Sequence, residues 1–349
     1  MNHNRPMNAM KNEFSSYTSS QPMSLLPSHS DTRKPSLFAV LLLVLSCFSG
    51  CHSRQIRIAI IPQTTGTSLW NPLLDGAQSI VRGRNVSLYW NAPTSEDNIK
   101  AQISLLEQII HSGQYSGIVL APDHALALMD AVQDAEAAGI PVVIVSSRLS
   151  LPPSHDLSYI LNNDVLGGRW AAKYLGKLLH GHGSVAIIGI DPAILGNIQR
   201  ERSLEAVLHK SYPGISVVAR RFGAYNIPHQ TQVAATLLKH YPSISAIIAL
   251  NPAAERGIWN ALLAKNETSQ VKVIGFDQDV VVDGEQQIRI NAIVEQNTYR
   301  MGQLAVQQIL DDIHNRRVAP VTLLPPIFVT RNPSPLTPAV KSPHKSRPS

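Results

Sequence analysis

The chain has 349 residues, of which 44% are hydrophobic, 15% charged and 5% aromatic, with two cysteines and a formal charge of +6. At roughly 100–200 residues per domain this is about two domains' worth, and the composition excludes a disordered chain, a disulfide scaffold and a polytopic membrane protein. The surplus charge sits at the two ends, and the neutral stretch between them excludes a nucleic-acid partner, whose phosphates require clustered Lys and Arg.

At the amino end, Arg5, Lys11, Arg33 and Lys34 stand against Glu13 and Asp31. Arg33 and Lys34 precede an apolar run over 37–48, followed by Ser49, Gly50 and Cys51. Basic, then apolar for about a dozen residues, then small is the order of an export signal, and the run falls short of the ~20 residues of a membrane-spanning helix. Phe48-Ser49-Gly50 directly before Cys51 resembles a bacterial lipobox, which implies lipidation of Cys51; an ordinary cleaved signal and an uncleaved anchor are the alternatives. The stretch before Arg33 is long, so Met10 or Met23 are alternative starts. With Cys47 removed and Cys51 lipidated, the body holds no thiol for a disulfide, a nucleophile or a metal site. The expectation is an exported protein of the cell envelope or periplasm, a monomer held to the membrane by its lipid anchor alone. At the other end, residues 331–349 carry Arg331, Lys341, Lys345 and Arg347 with no acid and no apolar pattern, and read as a disordered basic tail. Subtracting both ends from the totals of 30 and 24 leaves 22 basic and 22 acidic residues between them.

Between the ends, short aliphatic runs alternate with helical periodicity. Strands are predicted at 56–61, 86–90, 118–120 and 142–145, with helices around 73–82, from the Thr94/Asp97 capping box through Ile99, Ile103, Leu106 and Ile110, and through Leu128, Val132 and Ala135. After Asn162-Asn163 the pattern restarts. Helices over 168–179, 199–210, 230–240 and 299–313 alternate with strands at 185–190, 216–219, 244–250, 271–276 and 292–294, and a further helix follows 250. Continuous aliphatic strands separated by helices indicate parallel sheets covered on both faces, and the twofold order predicts two doubly wound α/β lobes.

Ligands of open α/β sheets sit outside the carboxyl ends of the strands. Those ends carry Thr67, Leu69 and Trp70 after the first strand, and Ser146, Ser147 and Arg148 after the fourth. In the second half they carry Arg200, Tyr225, Asn251, Phe276, Asp277 and Gln296. Trp70, Tyr225 and Phe276 at such ends suit stacking on a flat ligand, Arg200 offers a planar donor fork, and Asp277 accepts from hydroxyls. The set reads as a grip for a small neutral polyhydroxylated molecule. Asn163 and Asp164 read as hinge and cap residues. The 13 histidines show no paired spacing, and no metal or cofactor is expected. A hydrolase would need a Gly-x-Ser-x-Gly elbow, a phosphate loop, a metal-ligand pair or two opposed carboxylates, and the sequence shows none of these.

The runs Asn71-Pro72 with Asp75-Gly76-Ala77-Gln78, Gly139-Ile140-Pro141-Val142-Val143 and Asn163-Asp164-Val165-Leu166-Gly167-Gly168, followed by Arg200-Glu201-Arg202, Gly275-Phe276-Asp277 and Gln296, resemble the periplasmic sugar-binding proteins of the ribose-binding type. The resemblance spans about residues 54–330. It implies two lobes joined by three chain crossings, near 162–163, 296–297 and Pro325, with residues 54–162 and 297–324 in one lobe and 163–296 and 325–330 in the other. It further implies an aromatic wall of Trp70 and Tyr225, with polar contacts from Arg200, Asn251, Asp277 and Gln296. The implied activity is capture of a small neutral sugar-like ligand for the permease of an ABC importer, or, alternatively, presentation of the closed form to a sensor kinase or chemoreceptor. The departures are Thr67 and Ala121 where the family has Asn, Ser146 where it has Asp, and Pro252 where it has Asp. They point to a ligand other than ribose.

Overall fold

The computed structural model describes residues 55–95, 97–223, 226–266, 270–277 and 290–330. The signal segment with Cys51, the 331–349 tail and Tyr225 lie outside these residues. The described residues form two α/β lobes, each built on a six-stranded sheet.

In the first sheet, β1 (Ile56–Ile61), β2 (Val86–Trp90), β3 (Gly117–Leu120), β4 (Val142–Ser146) and β5 (Leu157–Asn162) are joined by β11 (Val321–Leu324) in the order β11-β5-β4-β3-β1-β2. In the second, β6 (His182–Ile190), β7 (Gly214–Phe222), β8 (Ala246–Ala249), β9 (Lys272–Phe276) and β10 (Ala292–Glu295) are joined by β12 (Ile327–Thr330) in the order β12-β10-β9-β8-β6-β7. The two orders are one pattern written twice. All pairings are parallel except β10 with β12.

The central strands β3, β4 and β8 are buried along their whole length, as aliphatic runs covered on both faces require, and the edge strands β2, β7, β11 and β12 are partly exposed. Alternate residues of the first sheet go to opposite sides. Ala59, Ile61, Ile118 and Leu120 pack with Leu106 and Ile109 of α2 (Ile99–Ser112) and Val132 of α3 (Met129–Ala137). Ile58, Ile60, Val119 and Val143 pack with Leu73 and Ala77 of α1 (Asn71–Val81) and Met301 and Ala305 of α8 (Thr298–Ile313). Each fully buried aliphatic side chain contributes about 1.5–3 kcal/mol. Helices α1 and α8 touch at glycine: a Cβ on Gly76 would lie 2.0 Å from the Tyr299 carbonyl oxygen, and one on Gly302 would lie 2.0 Å from that of Leu73.

Helix starts follow asparagine. Asn98, Asn163 and Asn297 cap α2, α4 (Asp164–Leu178) and α8, and Asn226 and Asn251 cap α6 (Ile227–His240) and α7 (Pro252–Lys265). In each case the side-chain oxygen accepts an otherwise orphaned N–H of the first turn. This corrects the expected Thr94/Asp97 capping box. Asn98, not Thr94, supplies the oxygen to the Ala101 amide, and Asp97 sits in the left-handed region at φ 61°. Strand β5 has no counterpart among the predicted elements. Its interior Ser158 and Tyr159 break the aliphatic run, yet both are buried with their hydroxyls bonded to Gln308 Oε1 and the Leu151 carbonyl.

The chain passes between the sheets three times: after β5, between β10 and α8, and at Pro325-Pro326 between β11 and β12. Among the described residues no helix is long and apolar enough to cross a membrane.

Candidate ligand-binding site

In each sheet the order of connections reverses beside its first strand, and the loops leaving that strand and its neighbours open a crevice where ligands of this architecture bind. Here the carboxyl ends of the two sheets share one crevice.

Arg200, on α5 (Leu195–Ser211), is the centre of the second lobe's contribution and is only 4% exposed. Its Nε donates to Asp164 Oδ1 at 2.6 Å, one terminal nitrogen lies 2.6 Å from Asp277 Oδ2, and the same nitrogen donates to the Leu250 carbonyl at 3.0 Å. The guanidinium lies 4.9 Å from the centre of the Phe276 ring. Burial works against the charge, but Asp164 and Asp277 outweigh it and hold the guanidinium above its ordinary value. Asp277 in turn accepts from the Gln296 amide and from Gln296 Nε2, both at 3.0 Å. Asn162 Nδ2 donates to Asp164 Oδ1 at 2.8 Å. A continuous polar chain, Asn162–Asp164–Arg200–Asp277–Gln296, therefore runs from the first crossing to the second.

The first lobe's wall is fixed by a side chain with no exposure. Gln102 donates to the carbonyls of Pro62 and Ala121 and accepts from the Asp123 amide, tying the loop after β1 to the loop after β3. Gln63 adds a bond to the Pro122 carbonyl at 2.9 Å. These loops bring Gln63, Leu69 and Asp123 to the crevice beside Ser146 and Ser147.

The crevice thus gathers Leu69, Ser146, Ser147, Arg200, Asn251, Asp277 and Gln296 of the expected residues. Thr67, Trp70, Arg148 and Phe276 do not line it. Trp70 has no exposure and packs among Ile58, Ile60, Leu73 and Val119, because the turn into α1 points it under the sheet while its neighbour Leu69 faces the crevice. Thr67 accepts from the Leu69 amide at 3.3 Å and caps a short 3-10 turn, Ser68–Trp70. Arg148 turns away and stacks 4.7 Å from the Tyr159 ring centre. Phe276 is 1% exposed and serves as the platform under Arg200 rather than as a ligand wall. Asn251 lines the crevice with both ends engaged: Oδ1 accepts from the Ala254 amide and Nδ2 donates to the Gly189 carbonyl.

Asp164, expected as a hinge and cap residue, lines the crevice, as do Asp97, Asp123 and Asp191. The signal for Asp123 and Asp191 is their place in the loops that leave β3 and β6; for Asp97 no sequence signal exists. Asp123 is 8% exposed and accepts a bond from the Asp97 backbone. Burial, then the charges of Asp97 and Asp191, push its carboxyl from 3.8 up to about 7. Its Oδ2 and the Gln296 Oε1 are buried acceptors without hydrogen-bond partners. Unpaired buried acceptors are costly.

A family model described as a periplasmic binding protein domain matches residues 58–317. The D-ribose/D-allose-binding protein of Pseudomonas aeruginosa is 27% identical over 253 residues, covering 69% of this chain and 78% of that protein. The ribose import binding protein RbsB of Bacillus subtilis is 23% identical over 269 residues, covering 76% and 85%. Among solved structures, a carbohydrate transporter solute binding protein from Agrobacterium radiobacter in complex with D-arabinose superposes with a TM-score of 0.71 at 25% identity, covering 80% of this chain and 95% of that one.

Proposed function

The chain belongs to the periplasmic binding protein domain family, and from that premise we propose that it captures a small sugar-like ligand between its two lobes for an ABC-type importer. The observation that carries the reading is the Asp164–Arg200–Asp277–Gln296 chain at the floor of the shared crevice, with two buried acceptors, Asp123 Oδ2 and Gln296 Oε1, facing it from the two lobes. Hydroxyl groups supply the donors those atoms require, and a ring held by both lobes favours their approach, because contacts made only when the lobes meet bias that equilibrium.

The reading includes export to the periplasm, which relatives of this family share, and tethering through a lipid on Cys51, supported by the basic–apolar–small order of residues 33–51. Lipoprotein processing would supply more than one acyl chain, as stable anchoring needs. The presentation partner is the permease of the importer.

The test is a thermal-shift screen of the purified protein against pentoses, hexoses and polyols, followed by calorimetry on each ligand that raises the melting temperature. At least one sugar-like compound binding with one-to-one stoichiometry is expected. A protein that no sugar or polyol stabilises contradicts the proposal.

A further inference from the structure

We infer that the ligand carries a protonated amine on its polyol framework and that Asp123 is the partner of that amine; this rests on the sugar-like reading above and specifies its chemistry.

The argument begins with charge. Asp97, Asp123, Asp164, Asp191 and Asp277 line the crevice against a single guanidinium, that of Arg200. Arg200 is spoken for by Asp164 and Asp277, one on each side. Among the described residues that line the crevice Arg200 is the one cation, and it is held by Asp164 and Asp277 rather than by Asp123. A crowd of exposed acids alone would mean little, because water solvates it. Asp123 is different: it is 92% buried by its 8% exposure, and Oδ2 has no hydrogen-bond partner. A buried carboxylate without a counter-charge is unfavourable in the empty crevice and strongly favourable once a cation arrives. Gln296 Oε1 is likewise an acceptor only, so both orphaned atoms ask for N–H or O–H donors. A metal ion fits less well. Among the described residues the one trio close enough to share an ion is His155, Asp156 and Asp312, which leads into the opposite, amino end of β5.

Calorimetric titration of matched probes tests this: D-glucosamine against D-glucose, D-galactosamine against D-galactose, and putrescine as a cation without hydroxyls. At least one amino sugar is expected to bind tenfold or more tightly than its neutral twin, and Asp123→Asn is expected to erase most of that ratio. Neutral sugars binding as well as their amino twins would overturn the amine while leaving the sugar reading standing. Putrescine binding where no sugar does would overturn both. Binding of none of the five probes counts against the amine and leaves the sugar reading to its own screen. Because the comparison is made on the unmodified protein, it holds even if the Asn variant folds poorly.

Discussion

Ser146 and Asp277 occupy equivalent positions in the two lobes. Each follows directly on the aliphatic run of the strand third from the edge, β4 in one sheet and β9 in the other, and each lies in the left-handed region, at φ 68° and 59°. The backbones match, but the side chains do not. Asp277 holds Arg200 and Gln296, whereas Ser146 presents only a hydroxyl to the same crevice. The asymmetry leaves the first lobe's polar contribution to Gln63, Asp97, Asp123 and the serines.

The left-handed backbone at Ser146 is strained for a residue with a Cβ, by about 1 kcal/mol. Ser146→Gly is therefore expected to raise the unfolding free energy by about 0.5–1 kcal/mol, read by urea denaturation, while ligand affinity falls with loss of the hydroxyl presented to the crevice. A loss of stability would show that the hydroxyl is bonded more strongly than the strain costs.

Asp277→Ala leaves Arg200 buried with one carboxylate instead of two. Breaking a buried pair from one side costs about 3–5 kcal/mol, and Asp164 retains part of that, so a loss of about 2–4 kcal/mol is expected by denaturant unfolding. Ligand affinity should fall with it, since Gln296 loses the acceptor that orients it. Unchanged stability and affinity would remove Asp277 from the cluster's working parts.

Trp70 separates core from ligand wall. With no exposure and neighbours such as Ile60 and Leu73, Trp70→Ala is expected to cost about 3–5 kcal/mol of stability. Trp70→Phe should keep ligand affinity within about threefold of the unmodified protein. A Phe variant of native melting temperature that no longer binds would return Trp70 to the ligand.

Asp123 gives the protein a pH signature. Its carboxyl is raised to about 7, by burial first and then by Asp97 and Asp191; the neighbouring His124 ring faces the amides of Leu126 and Ala127 instead. A raised acid favours the fold while protonated, so its contribution is present below about pH 4 and is lost as pH climbs to about 7. Asp123→Asn is expected to gain stability over the unmodified protein across that window, by at most roughly 4 kcal/mol at pH 8. An ammonium ligand prefers the ionised carboxylate, so the affinity of an amine that keeps its proton across the range should rise roughly tenfold from pH 6 to pH 8. Melting curves and titrations that do not change with pH would contradict both.

Much of the architecture was readable in the residues. Strands such as β3 and β4 are apolar runs buried along their whole length, and the restart after Asn162-Asn163 marks the first crossing. The site was read less well because position at a strand end does not tell which way a side chain turns. Leu69 and Trp70 are adjacent, and only the geometry of the 3-10 turn decides that the smaller one faces the crevice. Asp164 looked like a cap because Asn163 beside it is one; its role on Arg200 depends on α4 meeting α5, a contact made possible by Gly168, whose added Cβ would lie 2.3 Å from the Arg200 carbonyl oxygen. Asp97 reaches the crevice through a loop conformation with positive φ, which no periodicity encodes.

A crystal structure of the complex with whichever sugar-like compound most stabilises the protein tests the central claim directly. The ligand is expected in the crevice, with donors within hydrogen-bond distance of Asp123 Oδ2 and Gln296 Oε1 and with Arg200 beside it. A ligand bound elsewhere, such as against Leu126 and Leu195, would contradict it.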